Sequence, residues 1–183
     1  MSQFKKASKQ EKNPEARRKL DAFYKSLIRA DKIKNYIMTE WAEDNTEAQI
    51  LQYVGCDVAL KYGTGKYKFV DEKVCKNYRG MLYFEMDNGS RKHSGWAVSE
   101  YKKTDIIGYF MEGVGLFLLP FQQLKQWLLD NESNLEEHYS TEDKGRHPNR
   151  NVRVHKDRII EEFGNCFISI DELELLERII LGA

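Results

Sequence analysis

Apolar residues near the start of the chain recur at the spacing of an amphipathic helix. One stripe consists of Leu20, Phe23, Tyr24, Leu27 and Ile28. Asn13 followed by Pro14 is a typical helix start, because Asn caps the first turn and Pro suits its first position. The spacing continues after Asp31, in Ile33, Tyr36, Ile37 and Trp41. The chain up to Trp41 is therefore predicted to form one long helix or two helices in succession, and we favour two.

Short apolar runs bounded by turn residues follow in the middle of the chain. Residues 47–54 indicate a further helical turn, and residues 56–60 and 67–74 a hairpin with glycines in its turn. Residues 81–86 predict a third strand, which ends at a strong turn signal over 87–90. Residues 91–103 look like a loop. Residues 106–111 and 115–119 predict a second hairpin of buried strands.

The last third of the chain alternates between helical and extended patterns. Pro120 ends the second hairpin, and a helix is predicted from Phe121 to about Asn131. Residues 132–151 are polar and are predicted to form a long loop, which is often a functional element. A short helix over 156–163, a strand over 166–170 and a helix over 171–181, capped by Asp171, complete the pattern. We expect an α/β or α+β fold with a central mixed β-sheet flanked by helices.

Length and composition indicate one globular domain over residues 1–183, with a disordered tail over 1–12. The apolar share is 41%, which suits a folded core. No apolar run approaches the roughly 18 residues of a membrane span, and the N-terminus lacks the apolar centre of a signal peptide. We therefore expect a cytoplasmic protein without a membrane partner. Three cysteines without Cys-x-x-Cys spacing indicate thiols rather than a disulfide framework or a zinc site.

Charge is balanced overall but unevenly distributed. The net charge is zero with 29 residues of each sign, which argues against a protein that coats nucleic acid by bulk electrostatics. Residues 1–34 hold eleven basic against four acidic side chains, and residues 144–158 hold six against one. Residues 129–143 hold six acidic side chains and no Lys or Arg. The two basic segments are either ordinary solvated faces or the two sides of a polyanion track.

The first hairpin carries the strongest candidate for a chemical site. Side chains alternate along a strand, so Asp71 and Lys73 share one face while Glu72 points to the other. Asp57 points the same way as Ala59 on the preceding strand, and the hairpin brings Asp57 beside Asp71 and Lys73. Two carboxylates and one ammonium group are the fewest side chains that could hold a divalent metal and position a water molecule. The same residues also fit a surface charge ladder.

Two sequence motifs are similar to those of a known family. Gly55-Cys56-Asp57 followed by Val70-Asp71-Glu72-Lys73 resembles the PD-(D/E)XK nuclease superfamily, and Gly95-Trp96 with residues 103–107 looks like the continuation in prokaryotic and phage members. The resemblance covers roughly residues 40–119. Cys56 stands where the family often has Pro.

The resemblance implies a restriction endonuclease-like core and metal-dependent hydrolysis of DNA phosphodiester bonds. Asp57, Asp71 and the backbone carbonyl of Glu72 would hold Mg²⁺ or Mn²⁺, and Lys73 would assist the attacking water. A further acid often comes from the preceding helix in such nucleases, and Glu40 and Glu47 are both candidates. A homodimer is expected if both strands are cut. The DNA is duplex, branched or single-stranded.

Several basic side chains are candidates for contacts with the DNA backbone. They are Arg146, Arg150, Arg153 and Lys156, with Lys102 and Lys103 as secondary candidates. Trp96 either stacks on a base or packs in the core. The four histidines lack metal-ligand spacing, and no Walker-type phosphate loop is present. The alternative function is a catalytically inactive module of the nuclease fold that binds nucleic acid or a protein partner.

Overall fold

The computed structural model describes residues 13–39, 46–54, 56–87, 95–100, 102–140 and 149–182. The helices within those ranges are α1 (Pro14–Arg29), α2 (Thr46–Val54), α3 (Phe121–Asn131), α4 (Lys156–Phe163) and α5 (Ile170–Leu181). The strands are β1 (Asn35–Met38), β2 (Val58–Lys61), β3 (Tyr67–Cys75), β4 (Met81–Asp87), β5 (Ile106–Met111), β6 (Gly115–Pro120), β7 (Glu136–Ser140), β8 (Asn149–His155) and β9 (Phe167–Ser169). The prediction for residues 1–12 lies outside the described ranges.

The main sheet has six strands in the order β1-β2-β3-β5-β6-β9. Neighbouring strands are antiparallel except β3 and β5, which run parallel from Val70 opposite Ile106 to Cys75 opposite Met111. Parallel neighbours need a crossover connection, because the chain must return to the end of the sheet where β3 began. Here the crossover passes through β4, which belongs to a different sheet. The predicted mixed central sheet is therefore confirmed.

One face of the main sheet is covered by helices α1 and α5, which lie side by side. Leu20 and Tyr24 of α1 and Leu173 of α5 are buried against Val58 and Phe110 of the sheet. Asn13 caps α1 by accepting a hydrogen bond of 3.0 Å from the backbone N–H of Ala16, as predicted. The cap of α5 is Ser169 rather than Asp171, because its hydroxyl and Glu172 form a reciprocal capping box.

The opposite face of the main sheet is covered by a second sheet with the order β4-β8-β7, together with α3 and α4. Phe84 of β4 and Val152 of β8 pack against Tyr109 and Leu119 of the main sheet, and Leu124 of α3 completes this core. The main sheet is thus flanked by helices on both faces, and on one of them also by a small antiparallel sheet.

Two predicted elements are wrong. The second helix expected after Asp31 is strand β1, whose residues Tyr36, Ile37 and Met38 are buried and pair with β2. Burial on both faces gives a strand a continuous apolar run, which periodicity cannot distinguish from a helix. The long loop over residues 132–151 contains strand β7 and the start of β8. These strands pair with each other and carry polar side chains on their exposed surface.

In the described part of the chain, no helix is long and apolar enough to span a membrane.

Candidate functional site

Asp57 stands opposite Asp71 because of the register between β2 and β3. Val58 pairs with Val70, and Asp57 directly precedes that pair. The backbone at Asp57 is held on both sides, since its N–H donates to the Val70 carbonyl at 2.9 Å and its carbonyl accepts from the Thr39 N–H at 2.9 Å. The side chain is held too, because Asp57 Oδ2 accepts the Glu72 N–H at 2.7 Å. The structure thus brings together the two carboxylates that the sequence predicts to meet.

Asp71 is the charged centre of this group. Its side chain is 5% exposed, and Lys73 Nζ lies 2.6 Å from Asp71 Oδ1. Lys102 Nζ contacts the other carboxylate oxygen, Oδ2. Burial by itself would raise the pKa of Asp71, but the two ammonium groups outweigh burial and lower it. Asp71 is therefore ionised at neutral pH.

Asp57 behaves in the opposite way. Burial, and then the negative charge of Asp71, raise the pKa of Asp57 to about 7, and the two carboxyl groups are hydrogen-bonded. A close carboxylate pair cannot easily carry two negative charges, so the two side chains keep one shared proton until the pH rises through about 7. This division between an ionised and a protonated carboxyl is common at catalytic and metal-binding sites.

The ring of Trp96 packs against the ammonium groups of Lys73 and Lys102. The ammonium of Lys73 lies 5.2 Å from the centre of the Trp96 ring, and that of Lys102 lies 5.3 Å from it. The backbone before this tryptophan is held close to β4, because the Gly95 N–H donates to the Met86 carbonyl at 2.9 Å. Only glycine fits there, since a Cβ on residue 95 would lie 2.1 Å from the Glu85 carbonyl oxygen. The contacts give Trp96 a packing role beside the site.

Glu72 lies on the reverse face of β3, as strand alternation predicts. Its carboxylate is buried and accepts hydrogen bonds from Arg17 Nη1 at 2.8 Å and from the Tyr24 hydroxyl at 2.7 Å. Burial, followed by the charge of Glu72, raises the pKa of Tyr24 well above its ordinary value. This network ties β3 to α1 directly beneath the carboxylate pair. Glu72 therefore contributes its backbone, not its side chain, to the Asp57 side of the strand.

The candidate ligands for a divalent cation at this edge of β3 are the carboxylates of Asp57 and Asp71 and the Glu72 carbonyl. In an extended strand the N–H and C=O of one residue point to the same side, so the Glu72 carbonyl faces the edge to which its N–H and Asp57 belong. Within the described ranges, no cluster of three or more His, Cys, Asp or Glu side chains could hold a metal. Two carboxylates and one carbonyl suit Mg²⁺ or Mn²⁺, which keep several waters and bind substrate phosphate as well.

The predicted fourth ligand cannot be placed. Glu40 lies outside the described residues, and the side chain of Glu47 is also outside them, although its backbone belongs to α2. Helix α2 packs on the main sheet through Ala48 and Leu51, which contact Ala59. Because Ala59 and Asp57 share a face of β2, α2 covers the same sheet face as the carboxylate pair.

Most predicted DNA contacts lie away from this hairpin, on the second sheet and α4. Arg150 contacts Glu132 at 2.5 Å and Glu137 at 3.1 Å. Arg153 contacts Glu136, and Lys156 contacts Asp157 at 2.7 Å. Each of these three cations thus already has an internal carboxylate partner. Arg146 lies outside the described residues, and Lys103 is exposed beside Lys102.

Lys102 is the site residue that the sequence indicates least clearly. From the sequence it is only a secondary candidate for phosphate contact, 31 residues from Asp71. The parallel pairing of β5 with β3 brings the segment before β5 next to Asp71, and that pairing leaves no local signal in the chain.

A scan of protein-family models and searches of curated proteins and solved structures found no match to this chain.

Proposed function

We propose that the protein is a metal-dependent nuclease that hydrolyses phosphodiester bonds of DNA. The observation that supports this most strongly is the convergence of Asp57, Asp71 and Lys73 on one sheet face, with both carboxyls buried and their pKa values moved in opposite directions. The resemblance to the PD-(D/E)XK superfamily assigns the same three residues to metal binding and water activation. A restriction endonuclease-like core is part of this proposal.

Each residue has a separate task in this mechanism. Asp57 and Asp71, with the Glu72 carbonyl, would hold the cation, and the Glu72 N–H fixes the Asp57 carboxylate by donating to its Oδ2. A bound Mg²⁺ supplies Lewis-acid charge that stabilises negative charge developing on the phosphate oxygens. The Lys73 side chain is 29% exposed, so its ammonium reaches solvent while remaining 2.6 Å from Asp71. Lys73 orients the attacking water and offsets phosphate charge.

The site is formed by rigid elements, which favours a catalytic role. Asp71 and Lys73 lie within β3, where they pair with Ile107 and Tyr109 of β5, and Asp57 is anchored by three hydrogen bonds. Arg17 and Tyr24 hold the strand from behind through Glu72. Catalysis requires reacting groups to stay close to one geometry, and side chains on a central strand meet this requirement better than loop residues.

A cleavage assay tests the proposal. Supercoiled plasmid, single-stranded DNA and a branched junction are each incubated with the protein in Mg²⁺, in Mn²⁺ and in EDTA. We expect cation-dependent cleavage of at least one substrate, abolished in Asp71→Ala and Lys73→Ala. The matched controls Asp31→Ala and Lys32→Ala change an exposed turn after α1 and should cleave like the wild type. Cleavage that survives both site changes overturns the mechanism.

A second function is favoured by one observation. Both oxygens of Asp71 are already held by ammonium groups, from Lys73 and Lys102, so the charge cluster is largely satisfied without a cation. This arrangement also suits a module that keeps the nuclease fold and binds nucleic acid or a protein partner without turnover. Measurable DNA binding without cleavage of any of the three substrates, in either cation, would establish this function instead.

A further inference from the structure

Both carboxylate oxygens of Asp71 are held by ammonium groups. Lys73 contacts Oδ1 and Lys102 contacts Oδ2. Both ammonium groups also lie beside the same Trp96 ring, at 5.2 Å and 5.3 Å from its centre. Any further ligand of Asp71 would therefore have to displace one of these ammonium groups.

Lys102 is directed at Asp71 by a fixed backbone. Three residues later, the Asp105 N–H donates to the Phe69 carbonyl at 2.8 Å, and the Asp105 carbonyl accepts from the Phe121 N–H at 2.9 Å. The Lys102 ammonium also lies 5.9 Å from the centre of the Phe121 ring. Its side chain is 11% exposed. Lys102 is therefore part of a built site and differs from the exposed neighbouring Lys103.

We propose that Lys102 is a phosphate-binding residue that holds Asp71 in the free protein and moves to a phosphate oxygen of the nucleic acid when a divalent cation replaces it on Asp71. The proposal rests on the nuclease function proposed above. A divalent cation held by Asp57 and Asp71 would compete with the ammonium groups for the Asp71 carboxylate, and its binding would release Lys102. A phosphate of the substrate would then replace Asp71 as the anionic partner of Lys102. A lysine suits this exchange because its four-carbon side chain is flexible and carries a compact charge.

Two affinities that change in opposite directions test the exchange. Lys102→Met preserves length and removes the charge, and Lys32→Met on the exposed turn is the matched control. Mn²⁺ binding to the free protein is measured by calorimetry. Binding of a labelled oligonucleotide is measured by fluorescence anisotropy in Ca²⁺ over a range of salt concentrations. We expect Lys102→Met to bind Mn²⁺ several-fold more tightly and DNA about tenfold more weakly, the loss of about one charged contact.

The salt dependence and a conservative variant separate this role from a structural one. Loss of one phosphate contact lowers the slope of log affinity against log salt by about 1. Lys102→Arg should retain most of the DNA affinity, and Lys32→Met should match the wild type in both affinities. A structural lysine would instead weaken both ligands together in Lys102→Met, and that result overturns the proposal.

The rate at which Lys102 is acetylated in the wild-type protein reports whether its ammonium is exposed. This measurement does not depend on a substituted protein folding. In the free protein Lys102 should react slowly with an acetylating ester, because it is buried against Asp71. Mn²⁺ should increase its reactivity, and added DNA should protect it again. Unchanged reactivity in Mn²⁺, with Mn²⁺ bound, overturns the exchange while leaving the nuclease proposal intact. Failure of the wild type to bind either Mn²⁺ or DNA instead removes the nuclease proposal itself.

Discussion

Replacement of Asp57 by Asn tests the electrostatics of the carboxylate pair. Burial, and then the charge of Asp71, raise the pKa of Asp57 from 3.8 to about 7 in the folded protein. In the unfolded chain the same carboxyl ionises near its ordinary pKa. Between these two pH values, folding requires Asp57 to take up a proton. The contribution of Asp57 to the free energy of unfolding is therefore fully present below its pKa in the unfolded chain. This contribution is lost as the pH rises through about 7, its pKa in the folded protein.

The size of this effect follows from the shift. Each pKa unit corresponds to about 1.4 kcal/mol, so the rise from 3.8 to about 7 removes about 4 kcal/mol from the free energy of unfolding across that range. Asp71 adds no slope there, because its pKa is lowered and it is ionised in both states. Asn at position 57 cannot ionise, so the Asp57→Asn variant does not lose this part of its free energy of unfolding as the pH rises.

Urea denaturation from pH 4 to pH 8, in EDTA, measures the effect. We expect the wild type to lose about 4 kcal/mol relative to Asp57→Asn between these limits. The control Asp31→Asn removes an exposed carboxyl whose pKa is lowered by a hydrogen bond from Lys34. The contribution of such a group to stability is present above its unfolded pKa, so its removal shifts stability by a nearly constant amount from about pH 5 to pH 8. A difference between wild type and Asp57→Asn that stays constant from pH 4 to pH 8 refutes the assignment of the shared proton.

Three further changes test other parts of the account. Lys73→Met should slow single-turnover cleavage by about 100-fold or more with little change in DNA affinity, and an equal loss of binding would contradict its role at the water. Arg17→Met leaves the buried Glu72 without its guanidinium partner and should lower the free energy of unfolding by about 3–5 kcal/mol; urea denaturation should show most of this regained on adding Glu72→Gln, and no recovery would contradict the ion pair. Gly95→Ala places a methyl group against the Glu85 carbonyl and should lower the free energy of unfolding by about 2 kcal/mol or more, so an unchanged thermal midpoint would contradict the close packing.

Strand alternation is sufficient to predict the geometry of the hairpin. The period of two places Asp71 and Lys73 on one face and Glu72 on the other, whatever the rest of the fold does. The structure agrees, with Lys73 on Asp71 and Glu72 beneath α1. Local rules also predict the start of α1 at Asn13, because the capping hydrogen bond involves neighbouring residues only.

Features that depend on distant partners are not predictable in this way. Lys102 reaches Asp71 only because β5 runs parallel to β3, a pairing between segments that no local pattern connects. Strand β1 is buried on both faces and its short apolar run is equally typical of a helix. Strand β7 is polar because it lies at the edge of the second sheet, and the central strand β8 buries only Val152 and Val154. In all three cases the tertiary neighbour determines the structure.

The central claim is that Asp71, with Asp57, holds the cation that cleaves a phosphodiester bond. Its most direct test is the single-turnover cleavage rate of a labelled DNA substrate in Mg²⁺, for the wild type, Asp71→Asn and the exposed control Asp31→Asn. We expect Asp71→Asn to lose about 1,000-fold or more in rate while remaining folded by circular dichroism, and Asp31→Asn to match the wild type. Cleavage by Asp71→Asn at a rate close to that of the wild type would contradict the account.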